Sequence, residues 1–102
     1  MSILDNQHRI LIPKDLLDIV SIPLDINVSI NYDFDTNSLY LDLFNLSSAI
    51  SCVGLRKIDS KGRIIMSKNL LELIDANYTS KLIVYVRYER IHISKLQEKT
   101  GA

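Results

Sequence analysis

The sequence DSKGRIIMSKNLLELI (59–74) decides how this chain folds, because a related sequence, DNQHRILIPKDLLDIV (5–20), stands 54 residues before it. The two segments align without a gap, and six of their sixteen positions are identical. The identical pairs are Asp5/Asp59, Arg9/Arg63, Ile10/Ile64, Lys14/Lys68, Leu16/Leu70 and Leu17/Leu71. Most of the remaining pairs are similar in kind. A gapless block of this length indicates an internal duplication.

Each copy predicts the same succession of elements. Two short apolar strands joined by a polar turn are expected at 1–4 and 9–12 in the first copy, and at 52–58 and 63–66 in the second. A helix of about two turns follows in each copy, with its apolar residues on one face. Pro13 suits the first helical position of one helix, and Ser67 suits the N-cap of the other.

Beyond the helices, apolar and polar residues alternate, which is typical of half-buried strands. The alternation covers 26–32 and 82–88, and return strands are expected at 39–43 and 91–94 after turns at 33–38 and 89–90. The unit is ββαββ, twice, in an α+β fold dominated by strands. The boundaries that we predict are 1–44 for the first repeat, 45–51 for the connection, 52–96 for the second repeat and 97–102 for a frayed tail. The short connection predicts that both repeats pack into one unit.

Charge is distributed unevenly along the chain, although 12 basic and 12 acidic residues give a net charge of zero. Residues 1–50 have two Lys or Arg against seven Asp, which is −5, and residues 51–102 have ten against five, which is +5. This asymmetry predicts either an anionic partner for the second half or attraction between the halves.

Length and composition limit the class of protein. At 102 residues and 11.7 kDa the chain holds one small globular unit, which excludes a multidomain enzyme. No apolar run reaches the ~18 to 20 residues that span a bilayer, and the first residues lack the basic start of a signal peptide. Cys52 is the single cysteine, so no internal disulfide is expected. We therefore expect a cytoplasmic protein that contacts no membrane.

Residues 59–70, DSKGRIIMSKNL, resemble the signature of the AbrB/MazE/SpoVT family of swapped-hairpin DNA-binding proteins. In that family Asp-x-x-Gly-Arg, an apolar strand and Ile-Pro lead into a brief helix. The first copy is similar through Asp5, Arg9, Ile10, Ile12, Pro13 and Lys14. The resemblance covers nearly all of residues 1–96, and the tandem arrangement is similar to that of MraZ. It implies a swapped-hairpin (looped-hinge-helix) β-barrel, made by one pseudo-dimeric chain or by exchange between chains.

The sequence departs from the family pattern at a few positions. His8 stands where the motif has Gly, so the first copy must adopt the turn with a side chain if that position needs a positive φ. Leu24 replaces the Gly of Pro-Gly-Asp, and Ser67 replaces the Pro of Ile-Pro. Asp15, Asp18 and Asp25 would repel phosphate, which predicts that the first copy is mainly structural or forms a partner surface.

The resemblance implies double-stranded DNA as partner and a role in transcription regulation. DNA binding needs cations for phosphates and side chains such as Arg or Asn for base edges. The candidate residues, mainly in the second copy, are Arg56, Lys57, Lys61, Arg63, Lys68, Asn69, Arg9 and Lys14. The structural alternative is a solvated basic edge in which Asp59 pairs with Arg63 and braces the turn.

Protein binding is the main alternative function. The acidic first repeat or the apolar strands would then bind a partner such as a toxin, or form a homodimer or a higher homo-oligomer. Catalysis has little support, because His8 and His92 lie in no local Cys-His or Ser-His-Asp pattern and no Gly-rich phosphate loop is present. We expect no enzyme activity, no cofactor and no metal site.

Overall fold

The computed structural model describes residues 2–43 and 51–96, in which short strands alternate with two six-residue helices. The first half contains β1 (Arg9–Leu11), α1 (Lys14–Ile19), β2 (Asn27–Asp33) and β3 (Ser38–Leu43). The second half contains β4 (Cys52–Lys57), β5 (Arg63–Ile65), α2 (Lys68–Leu73), β6 (Leu82–Arg87) and β7 (Arg90–Lys95). The predicted strand-dominated α+β class is confirmed.

The strands form two antiparallel sheets, and both sheets combine strands from the two halves. One sheet has two strands, β1 and β5, and is called the ribbon below. The other has five strands in the order β4-β2-β3-β7-β6. Thus β4 of the second half pairs with β2 of the first, and β3 pairs with β7 at the centre. Neither half forms its sheet alone.

The pairing registers relate the two halves by a local two-fold arrangement. In the ribbon, Ile10 lies opposite Ile64, and these residues are 54 positions apart. The bridge between Ser2 and Leu82 corresponds to the pair Arg56 and Val28, again with an offset of 54 in both members. The first segment of each half therefore pairs with the strand that follows the helix of the other half: Ser2 pairs with β6, and β4 pairs with β2.

The core lies between the sheets and helices and is aliphatic. Ile10, Ile64, Leu71 and Met66 have no measurable exposed surface, and Leu17 of α1 is 1% exposed. Each six-residue helix is too short to persist in isolation, so burial of its apolar stripe stabilises it. The Ser67 side chain accepts a hydrogen bond from the Leu70 backbone N–H, as predicted for an N-cap.

Several sequence predictions differ from the structure. The sheets do not close into a barrel within the described residues, because β1 and β5 have three residues each and pair only with each other. The strand expected at 1–4 is reduced to the single bridge of Ser2. The second hairpin turns at Tyr88 and Glu89, one residue earlier than expected, and Pro13 is the N-cap of α1, whose first residue is Lys14. Most of the predicted connection, 45–50, and the tail 97–102 lie outside the described residues.

Equivalent turns of the two halves use the left-handed backbone region. His8 has φ 61° and its equivalent Gly62 has φ 83°, so the first copy does place a side chain at this position. Ser21 and Asp75, which follow the two helices, also have equivalent values of 58° and 59°. Because only glycine adopts this region without a steric cost, His8 is held there by its surroundings.

We predict that Gly62→Ala destabilises the protein by about 1–3 kcal/mol, because a side chain at this φ is strained. A Cβ at Gly62 would also lie 3.0 Å from the backbone oxygen of Ile12, which cannot easily move. Denaturant unfolding followed by circular dichroism measures the change. Gly54→Ala is the control, since its Cβ would meet the flexible Arg56 side chain at 3.3 Å. An equal loss in both variants would contradict the strain argument.

Candidate nucleic-acid interface

The ribbon has an outward face that alternates half-buried basic side chains with exposed apolar ones. Its inner residues Ile10 and Ile64 are fully buried, and the side chains next to them point outward. The outward residues are Arg9, Leu11, Arg63 and Ile65, of which Leu11 is 54% and Ile65 is 55% exposed. Arg9 lies opposite Ile65 and Leu11 opposite Arg63, so the two arginines are diagonal neighbours, with Cα atoms about 7–8 Å apart.

Each of these arginines is tied to an aspartate at the start of its turn. The Arg63 Nε donates to Asp59 Oδ2 at 2.7 Å, and the Arg9 Nε donates to Asp5 Oδ2 at 2.8 Å. The other carboxylate oxygen of Asp59 accepts the backbone N–H groups of Lys61 and Arg63 at 2.9 and 2.8 Å. The pairing of Asp59 with Arg63, which we predicted as a structural alternative to DNA binding, is therefore present and braces the turn. It orients the guanidinium group and leaves its Nη atoms outside these bonds.

The two turns lie at opposite ends of the ribbon, each against the helix of the other half. The Ile12 backbone N–H donates to the Gly62 carbonyl oxygen at 2.8 Å, and the Met66 N–H donates to the His8 carbonyl oxygen at 2.8 Å. We call the turn 5–8 with the first residues of α2 end 1. The turn 59–62 with the first residues of α1 is end 2. Sequence reasoning had instead combined the turn and helix of the same copy.

End 1 joins the first turn to the basic residues of the second copy. Lys68 has a side chain that is 74% exposed, and its Nζ lies 3.9 Å from Glu72 Oε1. The Arg56 guanidinium lies beside the start of α2, where its Nη2 donates to Ser67 Oγ at 3.2 Å. Three exposed amide side chains complete end 1: Asn6, Gln7 and Asn69.

End 2 contains Lys61 in its turn and Lys14 at the start of α1, both exposed. Asp15 and Asp18 are exposed on the same helix. Besides the brace of Asp59 and Arg63, end 2 thus combines two lysines with two further carboxylates. The last candidate, Lys57, is exposed where β4 ends, on the face opposite Arg56.

Sequence reasoning missed the amides of Asn6 and Gln7 and the apolar residues Leu11 and Ile65 of this surface. Asn6 and Gln7 belong to a turn that we assigned to the structural copy, and only its contact with Met66 brings them to α2. Leu11 and Ile65 were assigned to strands, but we did not predict whether their side chains point to the core or to solvent. The alternation of a strand could have identified them: if Ile10 and Ile64 point to the core, the next residues, Leu11 and Ile65, must point outward.

An aromatic contact supports the strained turn at end 1. The His8 and Tyr78 rings are stacked, with centroids 3.6 Å apart and an interplanar angle of 6°. At end 2, the equivalent of Tyr78 is Leu24, whose Cδ2 would lie 3.8 Å from a Cβ on Gly62. The same pair of positions is therefore adjacent at both ends, with different residues.

His92 lies away from the ribbon, in the five-stranded sheet, and is 3% exposed. Burial lowers the pKa of His92, which favours its neutral form, although Asp33 partly opposes the shift. Its Nδ1 shares a hydrogen bond of 2.8 Å with Ser38 Oγ, and its ring stacks on Tyr85. Within 2–43 and 51–96, no group of three His, Cys, Asp or Glu side chains could hold a metal ion.

Comparison with protein-family models, curated proteins and solved structures finds no match for this chain. In the described part of the chain, no helix has the length and apolar character needed to cross a bilayer.

We predict that the Asp59 brace stabilises the protein at neutral pH and loses this effect in acid. The Arg63 backbone N–H, then its guanidinium group and the Lys61 N–H, lower the pKa of Asp59 from 3.8 to about 2, against an opposing effect of desolvation. Because the native pKa is lowered, the stabilisation is complete above pH 3.8 and disappears as the pH falls through about 2.

Thermal unfolding of the wild type and Asp59→Asn at several pH values tests this. The variant is expected to melt at a lower temperature at pH 7, and the difference should shrink between pH 3.8 and about 2. Asp5→Asn is the matched variant, since the Arg9 backbone N–H likewise lowers the pKa of Asp5. A difference that stays constant throughout this range would exclude the carboxylate charge as its cause.

Proposed function

We propose that this chain is a double-stranded DNA-binding transcriptional regulator of the AbrB/MazE type, working in the cytoplasm, with a tandem swapped-hairpin fold. The observation that carries the proposal is the exposed face of the ribbon, with Arg9 and Arg63 placed around its two-fold centre. The exchange of strands between halves supports the fold, since β4 pairs with β2 and Ser2 pairs with Leu82. The Asp-x-x-Gly-Arg resemblance of residues 59–63 supports the class.

The outward side chains of the ribbon have chemistry suited to the major groove. A major groove is about 12 Å wide and admits a two-stranded antiparallel ribbon. Arginine can bind the O6 and N7 atoms of guanine with two hydrogen bonds, and apolar side chains can contact thymine methyl groups. Arg9 and Arg63 would supply the first kind of contact, and Leu11 and Ile65 the second. The aspartate braces would hold both guanidinium groups in fixed positions.

The ends would position the ribbon by binding the DNA backbone. Phosphate contacts from Lys and Arg fix the register of a protein on the duplex and provide salt-sensitive affinity. Lys61 and Lys14 at end 2 and Lys68 at end 1 are exposed, which suits this role. Another candidate, Arg56, would place its guanidinium group beside the start of α2, where it donates to Ser67 Oγ.

A protein-binding function is the second candidate, and the edge strand β4 favours it. Val53 is 41% and Leu55 is 49% exposed on this strand, which is an edge of the five-stranded sheet. Exposed apolar residues on an edge strand are suited to pairing with another chain. This surface lies on a different sheet from the ribbon, so an antitoxin-like protein could use both.

We predict that the protein binds mixed-sequence duplex DNA with an affinity that falls steeply as salt rises. The variants Lys68→Gln and Lys61→Gln should each weaken binding to all sequences and reduce the slope of log K against log salt by about 1. Fluorescence anisotropy with a labelled duplex measures both quantities.

Lys95→Gln is the control, because Lys95 is an exposed residue of β7 in the other sheet. Circular dichroism should show that all variants are folded. Loss of binding in the control alone, or no binding by the folded wild type at low salt, would contradict the proposal. The second result would direct the search to a protein partner at β4.

A further inference from the structure

The two ends have the same backbone contacts but different exposed side chains. Positions 6, 7 and 69 of end 1 are equivalent to positions 60, 61 and 15 of end 2 at the offset of 54. The side chains at end 1 are all amides, namely Asn6, Gln7 and Asn69, and all are exposed. Those at end 2 are Ser60, Lys61 and Asp15, which are exposed as well. The two ends thus share one backbone arrangement but present different chemical groups to solvent.

We propose that the protein reads a directional, non-palindromic DNA sequence, in which end 1 selects bases and end 2 mainly contacts the backbone. The inference rests on the proposed function, since it names the class of DNA site that the same surface would bind. A perfectly repeated protein would favour two equivalent half-sites, as symmetric dimers do. Here the two half-sites would meet different side chains.

End 1 has the groups that distinguish bases. Asn and Gln amides bind adenine through its N6 and N7 atoms, and each such contact discriminates against other bases. Gln7 and Asn6 belong to one turn, and the hydrogen bond from Met66 N–H to the His8 carbonyl oxygen fixes that turn beside the segment that leads to Asn69. The stacking of His8 on Tyr78 further restricts the turn. The backbone that presents these amides at end 1 is therefore held in place by the hydrogen bond from Met66 and the stacking of His8.

End 2 has groups suited to phosphate, together with groups that oppose it. Lys61 is a mobile cation that binds phosphate irrespective of sequence. Asp15 and Asp18 repel phosphate. End 1 has Glu72 at the position of Asp18 but the neutral Asn69 at the position of Asp15, so α1 has one carboxylate more than the start of α2 to limit its approach to the duplex. End 2 consequently contributes less base discrimination than end 1, although its backbone frame is equivalent.

Selection from a random duplex pool, followed by sequencing, tests the proposal with the purified full chain. The wild type should enrich a motif whose centre is read by the two ribbon arginines and whose further strong base preferences flank that centre on one side only. Gln7→Ala/Asn69→Ala should remove these preferences, by about 5- to 150-fold for each lost bidentate contact. Lys61→Ala/Asp15→Ala, at the equivalent positions, should change the affinity for all duplexes alike and keep the same base preferences.

A gain-of-function variant makes the test sharper. Ser60→Asn/Lys61→Gln/Asp15→Asn gives end 2 the amides of end 1, and it should enrich a motif with similar preferences on both sides. A palindromic motif from the wild type would overturn directional reading while leaving DNA binding intact. No retention of any duplex at low salt by the folded protein would overturn the proposed function and this inference together.

Discussion

The pairing of β1 with β5 is the constraint on which the arrangement of both halves depends. Ile10 and Ile64 face each other across the ribbon and are completely buried, so the two halves share one apolar centre. Burying a side chain of this size fully contributes about 1.5–3 kcal/mol relative to exposure. The ribbon also fixes both turns, because each turn accepts a hydrogen bond from the backbone N–H of the residue that follows the ribbon strand of the other half, Ile12 or Met66. A change at this centre would therefore displace both ends at once.

The five-stranded sheet repeats the exchange between halves, but less symmetrically. β4 covers β2 from Asn27 to Asn31, with an irregularity after Ile30, and the Tyr32 N–H also donates to the Ser51 carbonyl oxygen at 3.1 Å. On β6, the equivalent partner among the described residues is Ser2, which bonds to Leu82 alone. Accordingly, Val84 is half-buried, whereas its equivalent Ile30 has no exposed surface. This difference is confined to the five-stranded sheet, and the register of the ribbon, which is a separate sheet, keeps the offset of 54.

Local patterns predicted the elements well, whereas the partners of each element needed tertiary information. The alternation in 26–32 and 82–88 and the apolar stripes of the helices depend on neighbours within a few residues, and β2, β6, α1 and α2 lie where they were expected. The contact of the first turn with Met66 joins residues from different halves, and no local pattern encodes it. For the same reason, we did not predict that Asn6, Gln7 and Asn69 lie at the same end of the ribbon, or that His92 is buried in the five-stranded sheet. Both depend on registers between strands distant in sequence.

The replacement of glycine by His8 shows how one half could change its chemistry without changing its backbone. The left-handed conformation at this position is required in both halves, because the Asp5 and Asp59 braces close the same turn. A side chain there costs about 1–3 kcal/mol in strain and must find a contact that offsets it. Tyr78 provides that contact as a stacked ring, where the other half has Leu24 beside Gly62.

Positions 8 and 78 are thus coupled, and so are 62 and 24. Exchanging only one member of a pair would leave either a strained histidine without its ring or a tyrosine facing glycine. The backbone frame of the interface therefore restricts which turn sequences each end can carry, and the exposed positions next to it, 6, 7, 60 and 61, remain free to differ.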